Sequence, residues 1–205
     1  PGMNKSIEIM MREHKLIVGV LASLQALADK LAAGETVARE DVADFGRFFR
    51  DFADQCHHGK EEDRLFVQMV EAGLPRDRGP IAVMLAEHDA GRQEVRGLIE
   101  VGAGAGPLSE SERARVVDYA RRFVPLLSSH IHKEDHILYP MAQETIPAPA
   151  FAALDQACED FDRQVRQQLD VPGLEDLAAR LMERYPACLG QLSDDHRCGA
   201  CSAAG

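Results

Sequence analysis

Apolar positions recur along this chain with the period of a helix. From about Asn4 to Ala33, Ile7, Met10, His14, Ile17, Leu21, Leu24 and Leu31 fall near one stripe, and Gly34 suits a helix stop. From about Arg39 to Ala72, Phe45, Phe49, Ala53, His57, Glu61, Leu65 and Met69 form an unbroken row at i+4. Gly73-Leu74-Pro75 ends that segment, and Pro80 suits the first turn of a third helix with Ile81, Met84, Leu85, His88, Val95 and Leu98 inward. Ser109 and Glu112 form a capping box for a fourth, lined by Val116, Phe123, Leu127, His130, Glu134, Leu138 and Met141. Pro125 is expected to kink it about one turn before His130. Two shorter helices follow, from Ala150 to Leu169 and from Leu174 to Tyr185, with a break at Pro172-Gly173. The predicted class is all-α, with no strand pattern.

Polar residues interrupt the apolar stripes at regular places. His57-x-x-x-Glu61 returns as His130-x-x-x-Glu134, and each pair lies one helical turn apart on one face. His14 precedes the first motif and His88 the second, at intervals that match to within one residue. A lone histidine in an apolar stripe is also how a hydrogen-bonded core histidine looks; the repetition carries the metal reading. The chain reads as a helical hairpin made twice, and two such hairpins packed face to face give an up-down-up-down four-helix bundle over residues 3–145. The remainder, 150–205, is a C-terminal helical extension with a cysteine-containing tail. A carboxylate buried without a partner costs several kcal/mol, roughly, so Glu61 and Glu134 in the core require compensation, which a metal ion supplies. His58-x-x-x-Glu62 is a competing register. The residue equivalent to His58 is Ile131, which ligates nothing, so His58, Glu62 and Asp63 are assigned to a wet face or a layer behind the ligands.

Composition narrows the function. The 205 residues are 45% hydrophobic and 28% charged, enough for one domain with a sizeable core and a short annex. The net charge of −11 disfavours nucleic acid and anionic membrane as partners. No apolar run approaches the ~20 residues of a membrane span, and no apolar leader is visible. Five cysteines, an odd count at low density, predict a reducing, cytoplasmic location. Gly102-Ala103-Gly104-Ala105-Gly106-Pro107 follows no strand and lacks the G-x-G-x-x-G spacing, so it reads as a connection rather than a phosphate loop. Cys188, His196, Cys198 and Cys201 fit a zinc site, an iron–sulfur site or a redox pair, or equally a frayed end with reduced thiols. The extension is a candidate homodimer surface.

His14, His57, His88, His130, Glu61 and Glu134 thus make six inward donors. Nitrogen and oxygen without thiolate suit iron, with zinc and manganese as lesser options, and two shareable carboxylates suit two metals. The arrangement resembles the hemerythrin-like family, the HHE cation-binding domains. The likeness covers roughly residues 8 to 145 and rests on His14, His57-x-x-x-Glu61-Glu62-x-x-Leu65-Phe66, His88 and His130-x-x-x-Glu134-Asp135-x-x-Leu138-Tyr139-Pro140. It implies a non-haem diiron centre that meets dioxygen, peroxide or nitric oxide, with the four histidines as terminal ligands and Glu61 and Glu134 as bridges. Oxygen carriers of that family place His-x-x-x-His on the third helix; here the fourth residue after His88 is Arg92. The missing fifth histidine makes the chain more similar to the bacterial proteins that repair iron centres. The carriers also use His-x-x-x-x-Asp on the last helix, which His130 and Asp135 fit. On an α-helix that aspartate points about 140° from His130 and Glu134 only about 40°, so Glu134 is preferred. The resemblance therefore implies redox chemistry on peroxide or nitric oxide, with a reductant the sequence does not name. A non-catalytic module storing or sensing dioxygen or iron is the alternative, and a structural metal site a third.

Overall fold

The computed structural model describes residues 2–187 and is helical throughout, with no strand among the described residues. Cys188, His196, Cys198 and Cys201 lie outside them. Helix α1 spans Lys5–Ala32; the Asn4 side chain caps it by accepting from the Ser6 and Ile7 amides. It ends where Gly34 takes φ +83°, which lets the Gly34 and Glu35 amides turn back onto the carbonyls of Leu31 and Lys30. Helix α2 runs over 39–71. It begins as an α-helix at Arg39–Phe48, widens into π-type turns at Phe49–His58 and Glu61–Leu65, and closes at Phe66–Glu71. Helix α3 is Gly79–Gly102, with Pro80 in its first turn. Helix α4 runs over 110–145, comprising Glu110–Lys133, a second π-type segment at Glu134–Leu138 and Tyr139–Thr145. Its capping box forms as expected, and the helix continues through Pro125.

Helices α5, Ala148–Gln168, and α6, Val171–Arg184, make up the described part of the extension. The break between them falls at Leu169 and Asp170, earlier than expected. Pro172 sits in the first turn of α6, where its missing N–H costs nothing, and the Asp170 carboxylate accepts from the Gly173 amide. The glycine-rich connection after α3 is held by Arg39, whose guanidinium donates to the carbonyls of Val101, Gly106 and Pro107 while pairing with Glu112. That loop is a clamped connection, not a phosphate cradle.

Helix α1 packs on α4, α2 on α3, and α3 on α4. Two apolar clusters fill the interior. One gathers Ile17 to Leu31, Phe45 to Cys56, Val95 to Val101 and Val116 to Ile131. The other gathers Ile7 and Met10, Leu65 to Met69, Ile81 and Met84, and Leu138 to Ile146. On each of the four long helices the polar intruders lie between the two clusters. The extension shares both: α6 adds Val171, Leu174, Leu177 and Leu181 to the first, and α5 adds Leu154 and Cys158 to the second. Each such leucine fully buried stabilises the fold by about 1.5–3 kcal/mol. The Tyr185 hydroxyl fastens the end of α6 to α2 by donating to Asp41. No helix among the described residues is long and apolar enough to cross a membrane.

Candidate metal centre

The six donors expected from the sequence are all 1% exposed or less and converge between the two clusters. They fall into two groups of four whose ligating atoms lie within 4.8 Å of one another: His14, His57, Glu61 and Glu134 in one, and His58, Glu61, His88 and His130 in the other. Glu61 belongs to both. Glu134 also faces both, with Oε2 3.2 Å from His14 Nε2 and Oε1 3.0 Å from His130 Nε2.

His58 is the correction. It was expected on a wet face or behind the ligands, yet it is buried, and its ring stacks on His88 at 3.8 Å between centroids. The reason is the backbone. In the π-type stretch Phe49–His58 the hydrogen bonds reach one residue further, the turn widens, and consecutive side chains diverge less around the axis. His57 and His58 therefore both face inward, each toward a different group. Glu62 and Asp63 do stand outside, Glu62 half-buried and Asp63 exposed. Arg92, at the place of the carriers' fifth histidine, is no donor. Its guanidinium donates to Asp54 and Glu62, the carboxylates beside His58 and His88.

Each of the four expected histidines gives its Nδ1 to a carboxylate, which fixes the ring and leaves Nε2 facing the centre. Asp135 holds His14 at 2.7 Å, Glu13 holds His57 at 2.8 Å, Glu62 holds His88 at 2.7 Å and Glu87 holds His130 at 2.9 Å. The pattern repeats with the sequence. The glutamate before each lone histidine supports the motif histidine of its own half, and the acid after each motif glutamate supports the lone histidine of the other half. The signal was visible in Glu13-His14 and Glu87-His88, but its meaning needed the packing. Lys60 and Lys133, each three residues after a motif histidine, donate to Glu13 and Glu87.

The halves differ in three places. His58 has Ile131 as its counterpart. Tyr139, whose counterpart is Phe66, donates its hydroxyl to Glu61 Oε1 at 2.6 Å and stacks on His14. Lys60 is 1% exposed and also reaches Asp162 of α5 at 2.8 Å, whereas Lys133 is 30% exposed. The extension thus connects to His57 through Asp162, Lys60 and Glu13.

His57 Nε2, Glu61 Oε2 and both Glu134 carboxylate oxygens are buried with no hydrogen-bond partner. Such atoms, close together but without hydrogen-bonding geometry, fit a shared cation. Burial pushes His57 well below its usual pKa and His58 down to about 3. Burial opposes charge on His14 too, but its bond to Asp135 and the Glu134 carboxylate beside it outweigh that and raise it to about 10. His88 is likewise raised, by Glu134, Glu61 and Glu62 against its burial. Burial and the neighbouring Glu61 hold the Tyr139 proton well above the usual phenol range.

A cavity of about 220 Å³ opens on the second group, between α2, α3 and α4. His58, His88 and His130 line it together with Phe49, Val95, Ile99, Phe123 and Leu127, and so do the charged side chains of Arg50, Asp54, Glu87, Arg92 and Arg96.

Comparison with known proteins agrees with this geometry. A family model described as the hemerythrin HHE cation binding domain matches residues 5–142. An uncharacterised protein of Mycobacterium tuberculosis, Rv1995, is 20% identical over 77% of this chain and 61% of its own length. The iron-sulfur cluster repair protein YtfE of Musicola paradisiaca is 32% identical over 43% of this chain and 41% of its own length. The chain thus spans less than two thirds of the relatives it matches. No solved structure matches it.

Proposed function

The chain belongs to the hemerythrin HHE cation-binding domain family, and from that premise we propose that it holds two iron ions and reacts with peroxide, nitric oxide or dioxygen. The observation that carries this reading is the pair of donor groups joined by Glu61, with carboxylate oxygens left unpartnered between them. The alternation of the clusters along the helices supports an up-down-up-down bundle, since α1 and α3 pass from the second cluster to the first and α2 and α4 return. Iron held here supplies electrons and a Lewis-acid centre to a small oxidant. The chain's own residues do the rest. Glu13, Glu62, Glu87 and Asp135 orient the imidazoles, the apolar clusters exclude water, and Tyr139 keeps a proton 2.6 Å from Glu61 Oε1. The distant likeness to an iron-sulfur cluster repair protein favours a role in repair or stress chemistry over simple carriage. Reversible dioxygen or iron storage is the rival reading, and the open cavity on one group counts against a purely structural metal.

Elemental analysis with thermal melts tests the metal reading. Two irons per chain are expected, with the metal-free form less stable by several kcal/mol, roughly. Identical melting temperatures would end this reading. Glu61→Ala and Glu134→Ala are expected to lose most of the iron, while Glu62→Ala and Asp135→Ala weaken affinity by about 10–100-fold.

A further inference from the structure

The cavity is too large for the small oxidants just named. Dioxygen, nitric oxide and hydrogen peroxide have two heavy atoms each, and one water needs only ~10–15 Å³ of such space. About 220 Å³ is available. Its lining is mostly aliphatic and aromatic; three imidazoles of the donor set and the charged side chains of Arg50, Asp54, Glu87, Arg92 and Arg96 complete it. A mostly apolar site with a few polar groups suits a ligand with an apolar body and a polar end. At the first donor group, by contrast, Tyr139 lies flat on His14 and Lys60 ties its back to α5. The two halves, related by sequence, have diverged where a bulky molecule would enter.

We propose that this pocket binds an organic hydroperoxide with an apolar body of alkyl or aryl character. The body lies between Phe49, Phe123 and Leu127, with the oxygen end toward His58, His88 and His130. This rests on the peroxide branch of the reading above. With two ferrous ions held by the donor set, the reaction would be a two-electron reduction: the O–O bond would break, each iron would give one electron, two protons would come from solvent, and the alcohol and water would leave. Gly91 is placed to govern the volume. It lines the pocket, and a side chain there would project beside Phe123, whose ring lies 3.3 Å from the Cβ position.

The test uses the full chain and two probes. The unreactive alcohol 2-phenyl-2-propanol reads binding, by calorimetry and by methyl NMR shifts of Val95, Ile99 and Leu127. Stopped-flow oxidation of the reduced, iron-loaded protein compares cumene hydroperoxide with hydrogen peroxide. The alcohol is expected to shift those methyls, and Gly91→Leu to weaken it at least about tenfold; Leu126→Trp, filling the same space from α4, guards against a folding defect in the first variant. Cumene hydroperoxide is expected to be preferred by about tenfold or more in the second-order rate constant of oxidation, and both variants to erase that preference. No alcohol binding, or binding that both folded variants retain, overturns the proposal. A fast response to hydrogen peroxide with no preference for the organic compound overturns it while leaving the redox reading intact. Alcohol binding lost in both variants, with neither peroxide reacting, supports a ligand pocket but overturns both the hydroperoxide assignment and the redox reading.

Discussion

Two neighbouring histidines on one helix ordinarily point about 100° apart, and the repeat, which sets Ile131 in the place of His58, favoured His57 as the inward one. Spacing located His14, His57, His88, His130, Glu61 and Glu134, because each motif pair is one turn apart and occurs twice. It left His58 between a wet face and a layer behind the ligands; burial removes the wet face, and the widened turns of Phe49–His58 that turn it inward leave no mark in the pattern of apolar residues. His58→Ala is therefore expected to lower iron toward one ion per chain, by elemental analysis, with helicity by circular dichroism unchanged. Retention of both ions would show that the imidazole only packs on His88. Protonation gives a second test. His14, raised to about 10, and His88, raised as well, carry protons at neutral pH that a metal must displace. Metal uptake is thus expected to release protons in a pH-stat, and apparent affinity to rise with pH. The metal-free fold follows the opposite course. A histidine raised on folding contributes stability that is full below its unfolded pKa of about 6.5 and is lost as pH rises through about 10. Metal-free protein should therefore melt lower at pH 9 than at pH 6; equal melts would contradict the geometry around His14.

At the scale of elements, the apolar period located every helix, and the ends followed from residues with a mechanism: Asn4 and Ser109 as caps, Gly34 and Gly73 at positive φ. What the pattern could not place was the break in the extension, because proline is as good a start as a stop and only the Asp170 cap decides between them. Close approach between elements was equally unreadable. Gly102 ends α3, and a Cβ there would lie 2.6 Å from the Ala43 Cα of α2. Replacing a helical glycine by alanine usually stabilises by about 0.5–1 kcal/mol. Here a main-chain atom stands in the way, and overpacking costs about 1–3 kcal/mol, so the sign reverses. Gly102→Ala is expected to destabilise by about 1–2 kcal/mol in urea melts; a gain in stability would show that α2 and α3 slide apart freely.

For the molecule as a whole, the sequence suggested a bundle with an appendage, whereas the helices beyond 148 complete the same core and touch the centre's support. Asp162 is the contact. Lys60 is buried, and burial disfavours its charge, but Glu13 and Asp162 hold its pKa above the usual value. Asp162→Asn removes one of the two negative charges facing that cation and is expected to cost about 1–3 kcal/mol, less than a fully buried pair because Asp162 is itself a third exposed. Its particular signature is iron affinity, which should fall through Glu13 and His57, with Asp162→Glu restoring it; a stability loss without that change would make the contact merely adhesive. The crossed supports have another consequence. Asp135 serves His14, and Glu62 serves His88, so neither hairpin can assemble its own half of the centre. Cutting the chain in the exposed turn near Asp77 and Arg78 would turn an intramolecular site into an association. Two fragments, each holding three of the six expected donors, would then recognise one another through the ion, and metal concentration would set how many chains are whole.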